Sequence, residues 1–285
     1  MTVITRFAPS PTGRLHPGHA MSAIRAHDFA RARGGRFLLR IEDIDPARSR
    51  PEWERALMDD LHWLGIRWPE PVWRQSARLP AYRAALHRLA DLGVLYPCRC
   101  TRGDIRAALS APQEGAPIAG PDGPVYPGTC RGRAMQDASP TDAIRLDMAR
   151  ALALAGPPAF TETGPLYPGT HRPVPADMIR GIGDVVLARR DFGTSYHLSV
   201  VVDDAAQGIT EAVRGADLFE ATAIHALLQR LLGLPTPAYH HHRLIRDDQG
   251  KRLAKRDDAR ALAKYRAEGA SPADIRRLTG LPPSP

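Results

Sequence analysis

Apolar and polar positions alternate along this chain in two distinct rhythms, and the first hundred residues show both. Val3 to Ala8 is a short run that predicts a strand, followed by a turn punctuated by Pro and Gly. A helix is predicted from about Gly18 to Arg33, ended by Gly34-Gly35. Arg36-Phe37-Leu38-Leu39-Arg40-Ile41 is apolar at its centre and predicts a buried strand, which completes a strand-helix-strand unit. Helical spacing returns at Trp53, Leu57, Leu61 and Leu64, and again at Leu79, Tyr82, Leu86 and Leu89. This succession predicts an α/β fold with a mostly parallel sheet and helices on both faces.

From Tyr96 to Gly183 the rhythm breaks into Pro, Gly and short polar stretches, which suggests an inserted module. Patterning resumes at Asp184-Val185-Val186-Leu187, continues through Leu198-Ser199-Val200-Val201-Val202, expected as a strand, and gives a helix near Leu218 to Leu232. The chain therefore divides into a first half of the sheet-and-helix domain (1–95), the insert (96–183), the second half of that domain (184–239) and a C-terminal segment (240–285). Gly123-Pro124-Val125-Tyr126-Pro127-Gly128-Thr129-Cys130-Arg131 nearly recurs as Gly164-Pro165-Leu166-Tyr167-Pro168-Gly169-Thr170-His171-Arg172, predicting two similar turns inside the insert.

Composition narrows the partners. With 285 residues, 43% of them hydrophobic, the chain has material for a full core. Lys and Arg number 39 against 31 acids, giving a net charge of +8, a balance that favours polyanions such as nucleic acid. Eleven basic and six acidic residues fall between Arg243 and Pro285, so +5 of that charge lies in the last 43 positions. No apolar run is long enough to span a bilayer and no secretory leader is evident, so a cytoplasmic protein without membrane attachment is expected. Three cysteines cannot all pair with one another. Cys98 and Cys100, one residue apart, suit metal ligation better than a disulfide framework.

The densest chemistry lies in Arg6-Phe7-Ala8-Pro9-Ser10-Pro11-Thr12-Gly13-Arg14-Leu15-His16-Pro17-Gly18-His19, between a strand and a helix N-terminus. Helix-terminal N–H groups attract an anion, glycine permits close backbone approach, and two histidines three apart can donate to phosphate oxygens. This run resembles the HIGH region of the glutamyl-tRNA synthetases, class I aminoacyl-tRNA synthetases, and Arg252-Leu253-Ala254-Lys255-Arg256 resembles their KMSKS loop. The resemblance extends to Arg40-Ile41-Glu42-Asp43, to Tyr196 through Asp204 and to Gly208 through Asp217.

The resemblance implies a Rossmann-like class I catalytic domain with an inserted zinc-bearing, acceptor-binding-like module and a short helical C-terminal segment. It places Pro9, His16, Gly18, His19 and Lys255 at ATP, which enters as substrate with Mg2+, and gives His16, His19 and Lys255 the catalytic roles. Arg6, Ala8, Ser10, Glu42, Tyr196 and Arg214 fall at the glutamate pocket, with Glu42 suited to the α-ammonium and the arginines to a carboxylate. Val200 stands where many full-length glutamyl enzymes carry Asn, which predicts a lost polar contact and weaker glutamate affinity. Related short enzymes share the Cys98, Cys100, Tyr126, Cys130 pattern, implying one structural Zn2+ per chain, with His171 as an alternative fourth ligand to Tyr126. His240-His241-His242 is expected to be a strand end, since adjacent residues point in different directions and do not converge on a metal.

The chain stops about thirty residues after Lys255, short of the anticodon-binding domains of full-length relatives. That layout resembles the short paralogues, whose acceptor is the queuosine base in the anticodon stem-loop of tRNA(Asp). The expected partners are then L-glutamate, ATP and that stem-loop, with the protein a monomer. A minimal glutamyl-tRNA synthetase acting on a tRNA 3′ end is the alternative in the same class. A nucleotidyltransferase and a silent RNA-binding protein lie outside it.

Overall fold

The computed structural model describes residues 2–110, 119–191, 193–245 and 261–283. Strand β1 (Ile4–Phe7) leads into helix α1 (Pro17–Arg31), which returns the chain to strand β2 (Arg36–Ile41). Ile4 faces Arg36 and Phe7 faces Leu39 in parallel register, and parallel strands need such a crossover. Helix α2 (Pro51–Trp63), the two-residue strand β3 (Trp73–Arg74) and helix α3 (Leu79–Asp91) follow, with β3 extending the sheet beyond β2. All three helices carry proline in the first turn, where its missing N–H costs nothing.

The middle of the chain contains β4 (Leu95–Cys98), α4 (Arg102–Ser110), the short strands β5 (Ala119–Gly120) and β6 (Gly123–Pro124), and β7 (Ala143–Leu146). Then come α5 (Met148–Ala155), β8 (Phe160–Glu162), β9 (Gly169–His171), a single turn α6 (Pro175–Asp177) and β10 (Val186–Ala188). β7 lies antiparallel between β4 and β10, whereas β8 joins a different sheet through Glu162 opposite Tyr239. This stretch is thus stitched into its surroundings by strands in two sheets. Both near-repeats hold glycine at positive φ in their Pro-Gly step, 85° at Gly128 and 114° at Gly169, but Gly169 opens β9 and the turn of the second repeat lies earlier, at Pro165-Leu166. They diverge in environment: Tyr126 is buried, while Tyr167 is exposed against Phe219.

The sequence reading predicts a strand over Leu198–Val202, but these residues form the core of helix α7 (Tyr196–Ala206). Ser195 starts the helix, its Oγ accepting from the Leu198 N–H at 3.4 Å. His197 through Val201, together with Asp203 and Asp204, are all buried, so nearly the whole circumference faces protein and no amphipathic stripe is left to betray the helical period.

After α7, β11 (Glu211–Gly215), α8 (Thr222–Leu232) and β12 (Ala238–His242) complete a sheet of order β11-β12-β8-β9, with β11, β12 and β8 parallel. Thr210 ties this sheet to β1: the Ile4 N–H donates to Thr210 Oγ1 at 2.9 Å, and the Thr210 N–H to the Ile4 carbonyl at 3.0 Å. His240-His241-His242 does end a strand, as expected, and His241 and His242 are buried. Helices α9 (Leu262–Ala267) and α10 (Pro272–Leu278) return to α1, where Arg276 pairs with Asp28 at 2.8 Å and Leu262 and Ile275 join the core beneath β1 and β2. A larger core gathers α3, α5, α7 and α8. Among the described residues no helix is long and apolar enough to cross a membrane.

Candidate active site

A cavity of about 410 Å³ opens where β1 gives way to α1 and where α7 and β11 converge. Arg6, Ala8, Ser10, His16, Gly18, His19, Glu42, Tyr196 and Arg214 all line it. Residues separated by more than two hundred positions in the chain are thereby brought to one wall. Pro9 does not line the cavity; it is buried, and its carbonyl accepts the Glu42 N–H at 3.0 Å, fixing that side of the pocket. Lys255 and the rest of the 252–256 loop lie outside the described residues. Ser22, Asp217 and His242 also line the cavity, and the sequence reading assigns none of them a role at a site.

His16 is the N-cap of α1 and forms a reciprocal box with His19. The Gly18 N–H donates to His16 Nδ1 at 3.1 Å, and the His16 N–H donates to His19 Nδ1 at 3.2 Å. A ring nitrogen that accepts carries no proton, so in each ring the proton is on Nε2. The two rings lie with centroids 3.8 Å apart, a pair of donors at the positive end of a helix. Glycine at position 18 leaves room for this ring, because a Cβ there would stand 2.8 Å from His16 Cε1 and push the imidazole aside.

Behind the cavity lies a buried charge cluster. Arg6 grips Asp204 through Nε at 3.0 Å and Nη2 at 3.1 Å, and Arg40 Nη1 reaches the same carboxylate at 2.8 Å. Glu42 lies 3.5 Å from Arg40 Nη2. Burial pushes its carboxyl up to about 7, with Arg40 and Arg6 acting in the opposite direction. Asp204 is held below the usual carboxylate range: burial raises it, but Arg6 and Arg40 outweigh that. Of the two arginines expected to receive a carboxylate, Arg6 is therefore already paired. Arg214 meets no carboxylate among the described residues; its partners are His241, His225, Thr222 and the Leu218 carbonyl. Val200, expected to affect glutamate contact, is 2% exposed in the larger core and does not line the cavity.

The sulfurs of Cys98, Cys100 and Cys130 lie within 4.8 Å of one another. Cys100 and Cys130 are 3.5 Å apart, and Tyr126 Oη is 3.4 Å from both Cys98 and Cys100. Zinc–sulfur bonds of about 2.3 Å in a tetrahedron imply sulfur separations of about 3.8 Å, so the donor set fits such an ion. His171 stands elsewhere, in β9 against Phe160 and Phe219, with its Nε2 bonded to the Tyr167 carbonyl. The cluster borders a second cavity of about 980 Å³, lined by Cys100, Tyr126, Asp122, His197 and the arginines 102, 106, 145, 189 and 190. Tyr196 lines both cavities.

Comparison with known proteins identifies the family. The family model for tRNA synthetases class I (E and Q), catalytic domain, matches residues 2–122 and 175–281, leaving out the stretch that carries Tyr126 and Cys130. The glutamyl-Q tRNA(Asp) synthetase of Rhodobacter capsulatus is 67% identical over 282 residues, covering 98% of this chain and all of that protein. The enzyme of the same name from Nocardia farcinica is 44% identical, over 98% of this chain and 86% of its own length. A glutamate tRNA ligase from Elizabethkingia meningosepticum, solved in complex with its amino acid, superposes with a TM-score of 0.77 at 28% identity. That match covers 98% of this chain but 60% of the ligase. The chain belongs to the class I tRNA synthetases of the glutamate and glutamine group.

Proposed function

We propose that this protein activates L-glutamate with ATP and transfers it to the queuosine base at the wobble position of tRNA(Asp). The observation that carries the activation step is the single cavity in which His16 and His19 stand opposite Glu42 and Arg214. A glutamate α-carboxylate oxygen attacks the α-phosphorus of ATP, forming glutamyl-adenylate and expelling pyrophosphate. No protein nucleophile is needed, and positioning with charge stabilisation does the work. His16 and His19 donate from Nε2 to phosphate oxygens, Gly18 and Pro9 shape the backbone around the nucleotide, and Lys255 offsets charge on the leaving pyrophosphate, which departs with Mg2+. Glu42 takes the α-ammonium and Arg214 a carboxylate, while Ala8, Ser10, Tyr196 and the Asp204-paired Arg6 complete the pocket.

In the second step a hydroxyl of the cyclopentene ring of queuosine attacks the activated carbonyl. It loses its proton, and AMP leaves. The name shared by near-full-length relatives supports this acceptor, and the arginine-lined second cavity beside Tyr196 suits an RNA loop. In this reading residues 1–95 and 184–239 form the catalytic domain, 96–183 the acceptor-side module and 240–285 the KMSKS-like segment and the short helical C-terminal segment. Cys98, Cys100, Cys130 and Tyr126 would hold one structural zinc, cross-linking the module without an open coordination position. The protein acts as a cytoplasmic monomer.

Incubation with labelled glutamate, ATP and tRNA(Asp), with and without queuosine, tests the acceptor. Base-resolved analysis should find the label on the modified base and only in the queuosine-containing RNA. Label on the terminal ribose would establish a minimal glutamyl-tRNA synthetase instead.

A further inference from the structure

Arg214 is 5% exposed and lines the first cavity. Four of its five N–H groups are engaged: Nε with His241 Nε2 at 3.1 Å, Nη1 with His225 Nδ1 at 3.0 Å, and Nη2 with Thr222 Oγ1 at 2.7 Å and the Leu218 carbonyl at 3.3 Å. Every one of these partners is an acceptor without formal charge.

A guanidinium only donates, and that settles the histidines in sequence. His225 accepts at Nδ1, so its proton is on Nε2 and points to His197 Nδ1 at 3.0 Å. His197 then carries its proton on Nε2, directed at Asp122 Oδ2 at 2.7 Å. On the other side His241 accepts at Nε2, so its Nδ1–H donates to Glu162 Oε2. The second oxygen of Glu162 accepts the N–H groups of His241 at 2.9 Å and Gly164 at 2.7 Å. Two hydrogen-bonded chains leave the arginine, and each ends on a carboxylate that never touches it. A doubly protonated ring at 225 or 241 could not accept from Arg214. Burial and the cation itself push both imidazoles well below their ordinary value, His241 to about 2.

We infer that His225 and His241 are positioning residues for substrate selection: they fix the plane of the Arg214 guanidinium as neutral acceptors, so that its charge and its last N–H are left for a ligand carboxylate. Arg6 supplies the contrast within the same cavity, since Asp204 grips it at two nitrogens. Gly164 belongs to this device as well. A Cβ there would meet Glu162 Oε1 at 2.5 Å and the His241 carbonyl at 2.6 Å, so no other residue lets the carboxylate close on the imidazole. The inference rests on the proposal that this cavity takes glutamate.

Glutamate-dependent ATP–pyrophosphate exchange tests it. His225→Phe and His241→Phe should each raise KM for glutamate on the order of tenfold, the scale of a bond to a charged group. KM for ATP and kcat should change by less than about twofold. Gln at either position offers both an acceptor and a donor and should recover most of the loss. The effect should fade along the chain, with Asp122→Asn weaker than His225→Phe. Folded Phe variants with unchanged glutamate KM would overturn the inference.

Should those variants not fold, ring nitrogen resonances of the unaltered protein decide. His225 is expected as the Nε2–H tautomer and His241 as the Nδ1–H tautomer at neutral pH. An imidazolium or the opposite tautomer at either position would overturn the pinning. Absence of glutamate-dependent exchange in the unaltered protein would instead overturn the glutamate reading, leaving the tautomers to decide the state of Arg214.

Discussion

Glu42 is a carboxyl made reluctant to ionise by burial, in a place where a substrate ammonium would need it ionised. Its ordinary value is 4.5 and in the fold it rises to about 7. Between these limits the folded, ligand-free protein holds a proton that the unfolded chain has released, so stability falls as pH rises through that window. The loss attributable to this group is about 3 kcal/mol at most. Glu42→Gln should remove this fall, giving a melting temperature above the parent's at pH 8 and much weaker glutamate binding. For the unaltered protein, calorimetric titration should show glutamate affinity dropping as pH falls below about 7. Val200 gives a second test. An Asn amide there would be buried in an apolar cluster without a partner, so Val200→Asn should cost about 1–3 kcal/mol in chemical denaturation and leave KM for glutamate unchanged. A lowered KM would restore the polar contact expected from the sequence.

At the level of elements, helix α1 ties its own start to the histidines that face the cavity. Gly18→Ala would force the His16 ring off its capping position, costing about 1 kcal/mol in stability. The misdirected donor should lower kcat for exchange by about 10- to 100-fold, an effect on turnover far larger than the change in melting temperature. The cysteine cluster makes a separate prediction. Protein purified without chelator should contain one zinc per chain, and Cys130→Ser should lose it together with thermal stability. Exchange should survive, because none of the three cysteines lines the first cavity and only Cys100 lines the second. Metal-free native protein would sink the zinc assignment.

These elements also show why some of the fold was readable in advance. α2 and α3 each bury one face, so helical spacing exposed them, while β1 and β2 are buried on both faces and showed as short apolar runs bounded by turn residues. α7 is wrapped on nearly all sides, and its run of Leu198, Val200, Val201 and Val202 carries the residue types of a buried strand. Ser195, immediately before it, was the available signal. At the cavity, His16, Gly18 and His19 were legible because their spacing at a helix start carries the chemistry, whereas Glu42 and Arg214 were reached only through the resemblance to the glutamyl-tRNA synthetases. His225 and His241 act only through hydrogen bonds across the tertiary structure, which neither composition nor spacing records.

For the molecule as a whole, part of the positive charge outside the C-terminal segment acquires a location at the second cavity. Arg102 and Arg106 are exposed on α4 at the edge of the second cavity, as a surface contacting phosphates would require. Arg106→Ala should weaken tRNA binding at low salt and reduce the slope of log affinity against log salt by about 1, with exchange unchanged. A slope identical to the parent's would place the RNA elsewhere. Tyr196 connects this surface to the first cavity, because the residue lines both. Mutations that abolish acceptor use while sparing adenylate formation should therefore be recoverable along the arginine-lined face, yet a screen for such separated phenotypes should return none at position 196. The two half-reactions are inherited together at that position.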